Sequence, residues 1–562
     1  MLDLYTCLKW AVTSIVLFMT TNWFITSVVF SFKRDLNPLA LQEQSHISAV
    51  RKEGETAIYR NFTAPHGFPL TTGLNLAIGY RFRNGNFGDV WNAVMELSKS
   101  NTVSFTNDSK KYSLKEINGM AKTILKNHLS DGYKQIGIAV PTSTLQGFAV
   151  TVASMMGSVK NDIVPHFLSS VPRQKIEGVD VLVVGSWKIF KLLNGSESWY
   201  KVIIVCDSSK NKPANLDIQC SVKTWDDIIE SYQDDNKFEY TTPNDKSDDN
   251  KLFLYVTSPW NETTSFTQMS LVSTLSAFIK SFPLDNEITT DDELTVVGSL
   301  SESSSIQIFN KVFGVLLYGA SISFVKEYSI TSKEQPSLLF INGRDIQKLL
   351  NDQEQILNSS LINRIKLSWA TTLLSEGIFT KLAQLSPNVS SSSFDRIRCI
   401  FIAESISDVQ LVSSYNGLIP EMKQRPKRTL ITFKLNIVRA IFGSRAILEL
   451  YSPYIAIGPI AATNFYDYRV LPGSVDTNVT LHGTLSSTLE GKFVNTESNP
   501  KLDVASRQGM LCIRGFCIGK PVEEERLKKA IVLGETFGGE GWMPLVGIFG
   551  LWGHDGCLYV YN

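Results

Sequence analysis

Val179-Asp180-Val181-Leu182-Val183-Val184-Gly185 decides the fold class. It is a continuous apolar run broken by one carboxylate, short and rich in β-branched valine. It therefore reads as a strand buried on both faces. A strand with one face in water would alternate apolar and polar residues, and this one does not. Outward from it, Gln135-Ile136-Gly137-Ile138-Ala139-Val140-Pro141 is a second such run, and residues 202–206 are a third. Helical spacing surrounds them: Ile117, Met120, Ala121, Ile124 and Leu125 recur three and four residues apart, and residues 147–156 carry another helix pattern. Buried strands separated by helices mark a parallel sheet covered on both sides. A second set of strands begins at 252–257 and continues at 294–298, 321–325, 338–341 and 397–403. Beyond residue 445 the strands shorten and turns multiply, at 481–485, 510–514 and 557–561. The prediction is an α/β fold with two covered, mainly parallel sheets, a small β-rich subdomain and an N-terminal transmembrane helix.

Residues 10–32 are 23 residues without a charge, bounded by Lys9 and by Lys33-Arg34. As a helix they span about 34 Å, enough for a hydrocarbon core of about 30 Å. A signal peptide has a shorter apolar core and a small-residue cleavage site, both missing here. Lys33, Arg34, Arg51 and Lys52 follow the span, whereas Asp3 precedes it, so the positive-inside rule puts the bulk of the chain in the cytosol. The sequons at Asn61, Asn107, Asn194, Asn261, Asn358, Asn388 and Asn478 are no more than this composition produces by chance. Seven scattered cysteines suit a reducing compartment and give no disulfide framework. Equal numbers of basic and acidic residues, 54 each, remove the electrostatic signature of a nucleic-acid binder. The predicted organisation is a tail at 1–9, an anchor at 10–32, an irregular approach at 33–100, α/β subdomains at 101–250 and 251–445, and a β-rich subdomain at 446–562. A Ser-rich connector falls at 386–393.

Three stretches carry a family resemblance. Gly54-Glu55-Thr56-Ala57-Ile58-Tyr59-Arg60-Asn61 precedes the first helix–strand–helix unit. Leu317-Tyr318-Gly319-Ala320-Ser321-Ile322-Ser323-Phe324-Val325 closes an apolar segment. Gly509-Met510-Leu511-Cys512-Ile513-Arg514-Gly515 is followed by Gly541-Trp542. In order and spacing these resemble the long-chain fatty acyl-CoA synthetase branch of the AMP-forming adenylate superfamily. The resemblance implies that family's large-domain fold and places its acyl-pocket helix near residues 306–325. In that family a hinge and a small domain bearing a catalytic lysine follow the Gly-Trp region, whereas this sequence closes at Asn562.

The family's nucleotide loop, Thr-Ser-Gly-Thr-Thr-Gly-x-Pro-Lys, uses glycines to bring backbone N–H groups to phosphates and a lysine to add charge. The matching stretch is Thr257-Ser258-Pro259-Trp260-Asn261-Glu262-Thr263-Thr264-Ser265-Phe266-Thr267-Gln268-Met269. Of the site, the hydroxyls of Thr257, Ser258, Thr263 and Thr264 remain. There is no glycine or lysine, Pro259 removes a donor, and Glu262 adds a negative charge. The family's Tyr-Gly-x-Thr-Glu turn matches Tyr451-Ser452-Pro453-Tyr454-Ile455, which lacks the magnesium carboxylate. Leu545-Val546-Gly547-Ile548 stands where the family has an Asp that grips ribose. The six histidines, His46, His66, His128, His166, His482 and His554, have no metal-ligand spacing. No catalytic residue, cofactor or metal is predicted. The resemblance implies a pseudoenzyme in lipid metabolism at the endoplasmic reticulum membrane, acting as a subunit, scaffold or regulator with a protein partner. Two alternatives stand beside it: a fatty acid or acyl-CoA sensor whose acyl tunnel is lined by residues 306–325, and a weak acyl-CoA ligase completed by a partner.

Overall fold

The computed structural model describes residues 4–561 except 79–80, 99, 107, 130–131, 214–219, 302–305, 329–335, 359, 384, 386–395, 407–429, 477, 498 and 540. The predicted connector at 386–393 and the sequon residues Asn107 and Asn388 lie outside the described residues.

Val179–Val184 lies inside the first sheet, between Val202–Val205 and Gln135–Ala139, parallel to both. The sheet continues through Val164–Leu168 to Leu252–Thr257, still parallel, and then through the antiparallel strands Thr263–Thr267 and Lys520–Pro521. Alternate side chains explain the unbroken apolar run. Val181 and Val183 pack with the helices Leu114–His128 and Leu145–Lys160, while Leu182 and Val184 join Trp187 and Phe190 on the other face. The second sheet repeats this. Leu338 and Phe340 face the central core, and Leu339 and Ile341 face a second one built with the helices Gly343–Asn358, Leu361–Ser375 and Thr432–Phe442.

Six strands of the second sheet run parallel: Thr102–Ser104, Ser321–Val325, Glu293–Val297, Leu338–Asn342, Cys399–Ser405 and Arg445–Tyr451. From Pro459–Ala462 the same sheet turns antiparallel. It extends through Val479–Leu485, Leu558–Tyr561, Met543–Trp552, Gln508–Gly515 and Leu489–Val494 to Tyr59–Asn61 and Ser45–Ile47. The β-rich region is thus an extension of a sheet rather than a separate layer.

Several placements differ from the sequence reading. The strand at Leu252–Thr257 was expected to open the second block; it pairs with Val164–Leu168 and is the last parallel strand of the first sheet. Thr102–Ser104 and Lys111–Ser113, expected in the first block, pair on the edge of the second sheet. An apolar run identifies a strand but not its neighbour. Residues 33–100 are not irregular throughout: Phe87–Leu97 is a helix that buries Phe87, Val90, Trp91 and Val94 in the central core. Asn86 is its N-cap and forms a capping box with Asp89.

Leu8–Lys33 is a helix of 26 residues whose most apolar 18-residue window has a mean hydropathy of 1.7, long and apolar enough to cross a membrane. Its hydroxyls do not compromise that. Thr13, Thr20 and Thr26 donate back to the carbonyls of Lys9, Val16 and Asn22 at 2.8, 2.9 and 2.8 Å.

Candidate functional site

Thr257, Ser258, Thr263 and Thr264 come together as a β-hairpin, with Thr257 paired to Thr263. All four are buried. The tight turn at 258–262 is closed by its own backbone. Ser258 N–H donates to the Glu262 carbonyl at 2.9 Å, and Asn261 N–H donates to the Ser258 carbonyl at 3.0 Å. The N–H groups of Trp260 and Glu262 both donate to Ser258 Oγ at 3.3 Å. Asn261 takes the left-handed conformation (φ 64°) that lets a non-glycine residue complete such a turn. Thr263 N–H donates to Glu523 Oε1 at 2.6 Å. Every backbone donor from 258 to 263 therefore has a protein acceptor, and Pro259 has none to give.

The side chains are engaged too. Thr257 Oγ1 lies 2.6 Å from His166 Nε2 and 2.9 Å from Thr263 Oγ1. His166 Nδ1 meets Gln135 Oε1 at 3.2 Å. With Nδ1–H donating to Gln135, Nε2 accepts from the Thr257 hydroxyl, which suits a neutral ring. Burial pushes the His166 pKa down to about 3. Thr264 Oγ1 accepts from Arg526 Nη2 at 2.9 Å, and Arg526 pairs with Glu523 at 2.6 Å. These partners are the N-cap and a first-turn residue of the helix Glu524–Phe537, which follows the Lys520–Pro521 edge strand. Gly519 permits their close approach: a Cβ there would lie 2.4 Å from Thr264 Cγ2. The hairpin is thus covered by the β-rich end of the chain.

The other two family positions are also filled. Tyr451 is fully buried and its hydroxyl donates to Glu449 Oε2 at 2.8 Å. Residues 455–457 bond to 517–519 through Ile457 N–H to Cys517 O and Gly519 N–H to Ile455 O. Leu545, Val546 and Ile548 pack inward from the strand Met543–Trp552. The residues present at these three positions do not fit a magnesium triphosphate. The loop donors are taken, Glu262 repels phosphate, and no carboxylate stands at 452–456. Among the described residues no group of three or more His, Cys, Asp or Glu side chains is arranged to hold a metal ion.

A cavity of about 690 Å³, inside the range of about 300–1,000 Å³ usual for small-molecule sites, is lined in part by the helix Gln268–Lys280 and the strands Arg445–Tyr451 and Pro459–Ala462. Phe278, Phe282, Phe401, Ile447, Ala461 and Phe465 give it apolar walls. Three polar atoms, Gln44 Oε1, Asn310 Oδ1 and Ser487 Oγ, are buried with no partner among the described residues, and all three residues line it. Glu449 reaches it as well, held by Lys311 Nζ at 2.8 Å. Lys311 is wholly buried with its ammonium over the rings of Phe278, Phe340 and Phe401, at 4.9, 4.9 and 4.6 Å. Burial pushes its pKa down while Glu449 opposes that shift. Leu36, Leu39 and Ala40, which follow the long apolar helix, form part of the lining, as does Lys280. Segment 306–325 was expected to line an acyl tunnel. Among the described residues Asn310 alone of that segment lines the cavity, because the helix Phe309–Leu316 is buried on all sides. The pair Lys311–Glu449 escaped sequence reasoning, although Lys311 is the one charge in residues 306–325.

No family model matches the chain. It is 52% identical over 561 residues to the uncharacterised protein YHR045W of Saccharomyces cerevisiae, covering 99% of each chain. The chain belongs to the YHR045W family. Solved structures resemble this family member at the level of fold. The N-terminal domain of FACL13 from Mycobacterium tuberculosis superposes with a TM-score of 0.52 at 11% identity, over 85% of this chain and 100% of that one. The long-chain-fatty-acid-CoA ligase FadD1 from Archaeoglobus fulgidus gives 0.55 at 13%, over 88% and 86%. The luciferase-like enzyme of the mealworm Zophobas morio gives 0.53 at 14%, over 87% and 98%. The YHR045W-family fold is that of the AMP-forming acyl-CoA and adenylate ligases, as the sequence motifs predicted.

Proposed function

We propose that the chain is a membrane-anchored, non-catalytic relative of the acyl-CoA synthetases, acting as a subunit, scaffold or regulator in lipid metabolism. The observation that carries this reading is the hairpin at 257–264, whose backbone donors from 258 to 263 are all satisfied within the protein. Each charge-stabilising contact in a transition state is worth about 10²–10³ in rate. Loss of loop, metal carboxylate and ribose grip together leaves little adenylation. Leu8–Lys33 is the anchor in this reading, and the basic flank Lys33-Arg34 places the bulk of the chain in the cytosol. The endoplasmic reticulum is the membrane taken from the family analogy. The test is thioester formation by purified full-length protein supplied with ATP, magnesium, CoA and long-chain fatty acid. No product above the uncatalysed background is expected. ATP-dependent acyl-CoA formation would overturn the reading in favour of a ligase, and formation only with a co-purifying protein would favour the partner-completed form.

The cavity supports a second role at the same fold, binding of a fatty acid or acyl-CoA without turnover. Apolar walls suit an acyl chain, and Gln44, Asn310 and Ser487 leave hydrogen-bonding capacity for a polar group.

A further inference from the structure

The helix Leu361–Ser375 carries two apolar faces. One is in the protein: Ala370, Leu373 and Leu374 are buried in the second core. The other is in the open. Leu361, Ile362, Ile365 and Trp369 are 71, 65, 62 and 57% exposed, which is unusual for four large apolar side chains on one helix. Their spacing of one, four and eight residues puts them on a single stripe at 100° per residue. Arg364 and Lys366, both exposed, flank that stripe on opposite sides.

The position of this helix identifies what covers it. Its C-terminal end is joined to the end of the long apolar helix. Asp35 N–H donates to Gly377 O at 2.9 Å, Arg34 Nε donates to Glu376 O at 2.9 Å, and Arg34 Nη2 pairs with the Glu376 carboxylate at 3.0 Å. Phe30 packs against the same core as Ala370 and Leu373. Asp35 is fixed in turn by Arg445 at 2.8 Å. Where Leu8–Lys33 leaves a bilayer, residues 33–35 lie at headgroup depth, and Trp369, the stripe residue nearest to them in the helix, stands about two turns before the Glu376 junction.

We propose that Leu361–Ser375 is an in-plane membrane helix: its stripe of Leu361, Ile362, Ile365 and Trp369 enters the acyl boundary of the leaflet that holds the anchor, and Arg364 and Lys366 meet lipid phosphates. This rests on the reading of Leu8–Lys33 as a membrane span. An amphipathic helix with an apolar stripe and basic flanks settles about 5–10 Å into the headgroup boundary. The docking fixes the body against the membrane instead of leaving it on a tether.

The test uses the full chain in vesicles of phosphatidylcholine and phosphatidylserine, with a fluorescent amino acid at position 365 or, as control, at position 192. Leu192 is 71% exposed and belongs to a helical turn on the first sheet. Lipids brominated on the acyl chain should quench the probe at 365 by at least about twofold and leave the probe at 192 unchanged, the depth-dependent behaviour of a buried interfacial stripe. Equal, unquenched signals at both positions, in protein that resists alkaline carbonate extraction, would overturn the docking while leaving the span intact. Shielding of 365 from aqueous iodide without lipid quenching would also overturn it, in favour of a protein partner. Release of the chain by carbonate would overturn the span itself.

Discussion

His166 shows how a single residue reports on the hairpin. It sits on Val164–Leu168 against Tyr255 and holds Thr257 from below. Its neutral ring is the form the folded protein keeps, with a pKa near 3, whereas the unfolded chain titrates at the ordinary value of 6.5. Above pH 6.5 neither state binds the proton. As pH falls from 6.5 towards 3 the unfolded state takes it up and the folded state refuses, so stability is lost on acidification. The slope from one such group is at most about 1.4 kcal/mol per pH unit. His166→Gln is expected to flatten the fall in unfolding free energy between pH 6.5 and 5, measured by urea titration at several pH values. Parallel slopes for both proteins would show that His166 titrates normally. The structure brings Thr257, Ser258, Thr263 and Thr264 together in one hairpin, and the sequence put them in one stretch, where proline, tryptophan and glutamate replace the family's glycine and lysine. It did not show His166 beneath them, since a lone histidine in a strand carries no spacing signal. The Lys311–Glu449 pair was hidden for the same reason: its partners are 138 residues apart.

At the level of elements, long apolar runs were readable and short or capped ones were not. Val179–Val184 and Val202–Val205 announce themselves by β-branched residues with no polar alternation. The helix Phe87–Leu97 hides behind Asn84-Gly85-Asn86, which has the composition of a turn. Its start depends on Asn86: Oδ1 accepts from Asp89 N–H at 3.1 Å, and Nδ2 donates to Tyr240 Oη at 2.6 Å and Asp248 Oδ2 at 2.5 Å. Asp248 also pairs with the buried Arg83 at 2.7 Å. Asn86→Ala removes both the cap and that link, so it is expected to lower the unfolding free energy by about 1–2 kcal/mol, the upper part of the range for lost N-caps. Asn86→Ser should restore the capping part. Chemical denaturation of the two variants checks this, and an unchanged midpoint for the alanine variant would show that the cap is dispensable. Strand neighbours were likewise out of reach, because Leu252–Thr257 has the same apolar character whichever sheet it joins.

For the whole molecule, the two sheets and their β-rich extension share the fold of the solved structures compared above at 11–14% identity. Burial patterns survive such divergence because any apolar residue of suitable size fills a core. Phosphate binding is less tolerant, because it needs particular donors at particular places. Here the hairpin hydroxyls, His166, Glu523 and Arg526 form one closed network between the first sheet and the β-rich end. That network ties the first sheet to the β-rich end at the stretch whose sequence matches the family's nucleotide loop, and it makes the proposed loss of that site measurable. Isothermal titration of ATP with magnesium into the full-length protein in detergent should give no binding heat up to millimolar nucleotide. A magnesium-dependent, saturable isotherm in the micromolar range would contradict the account.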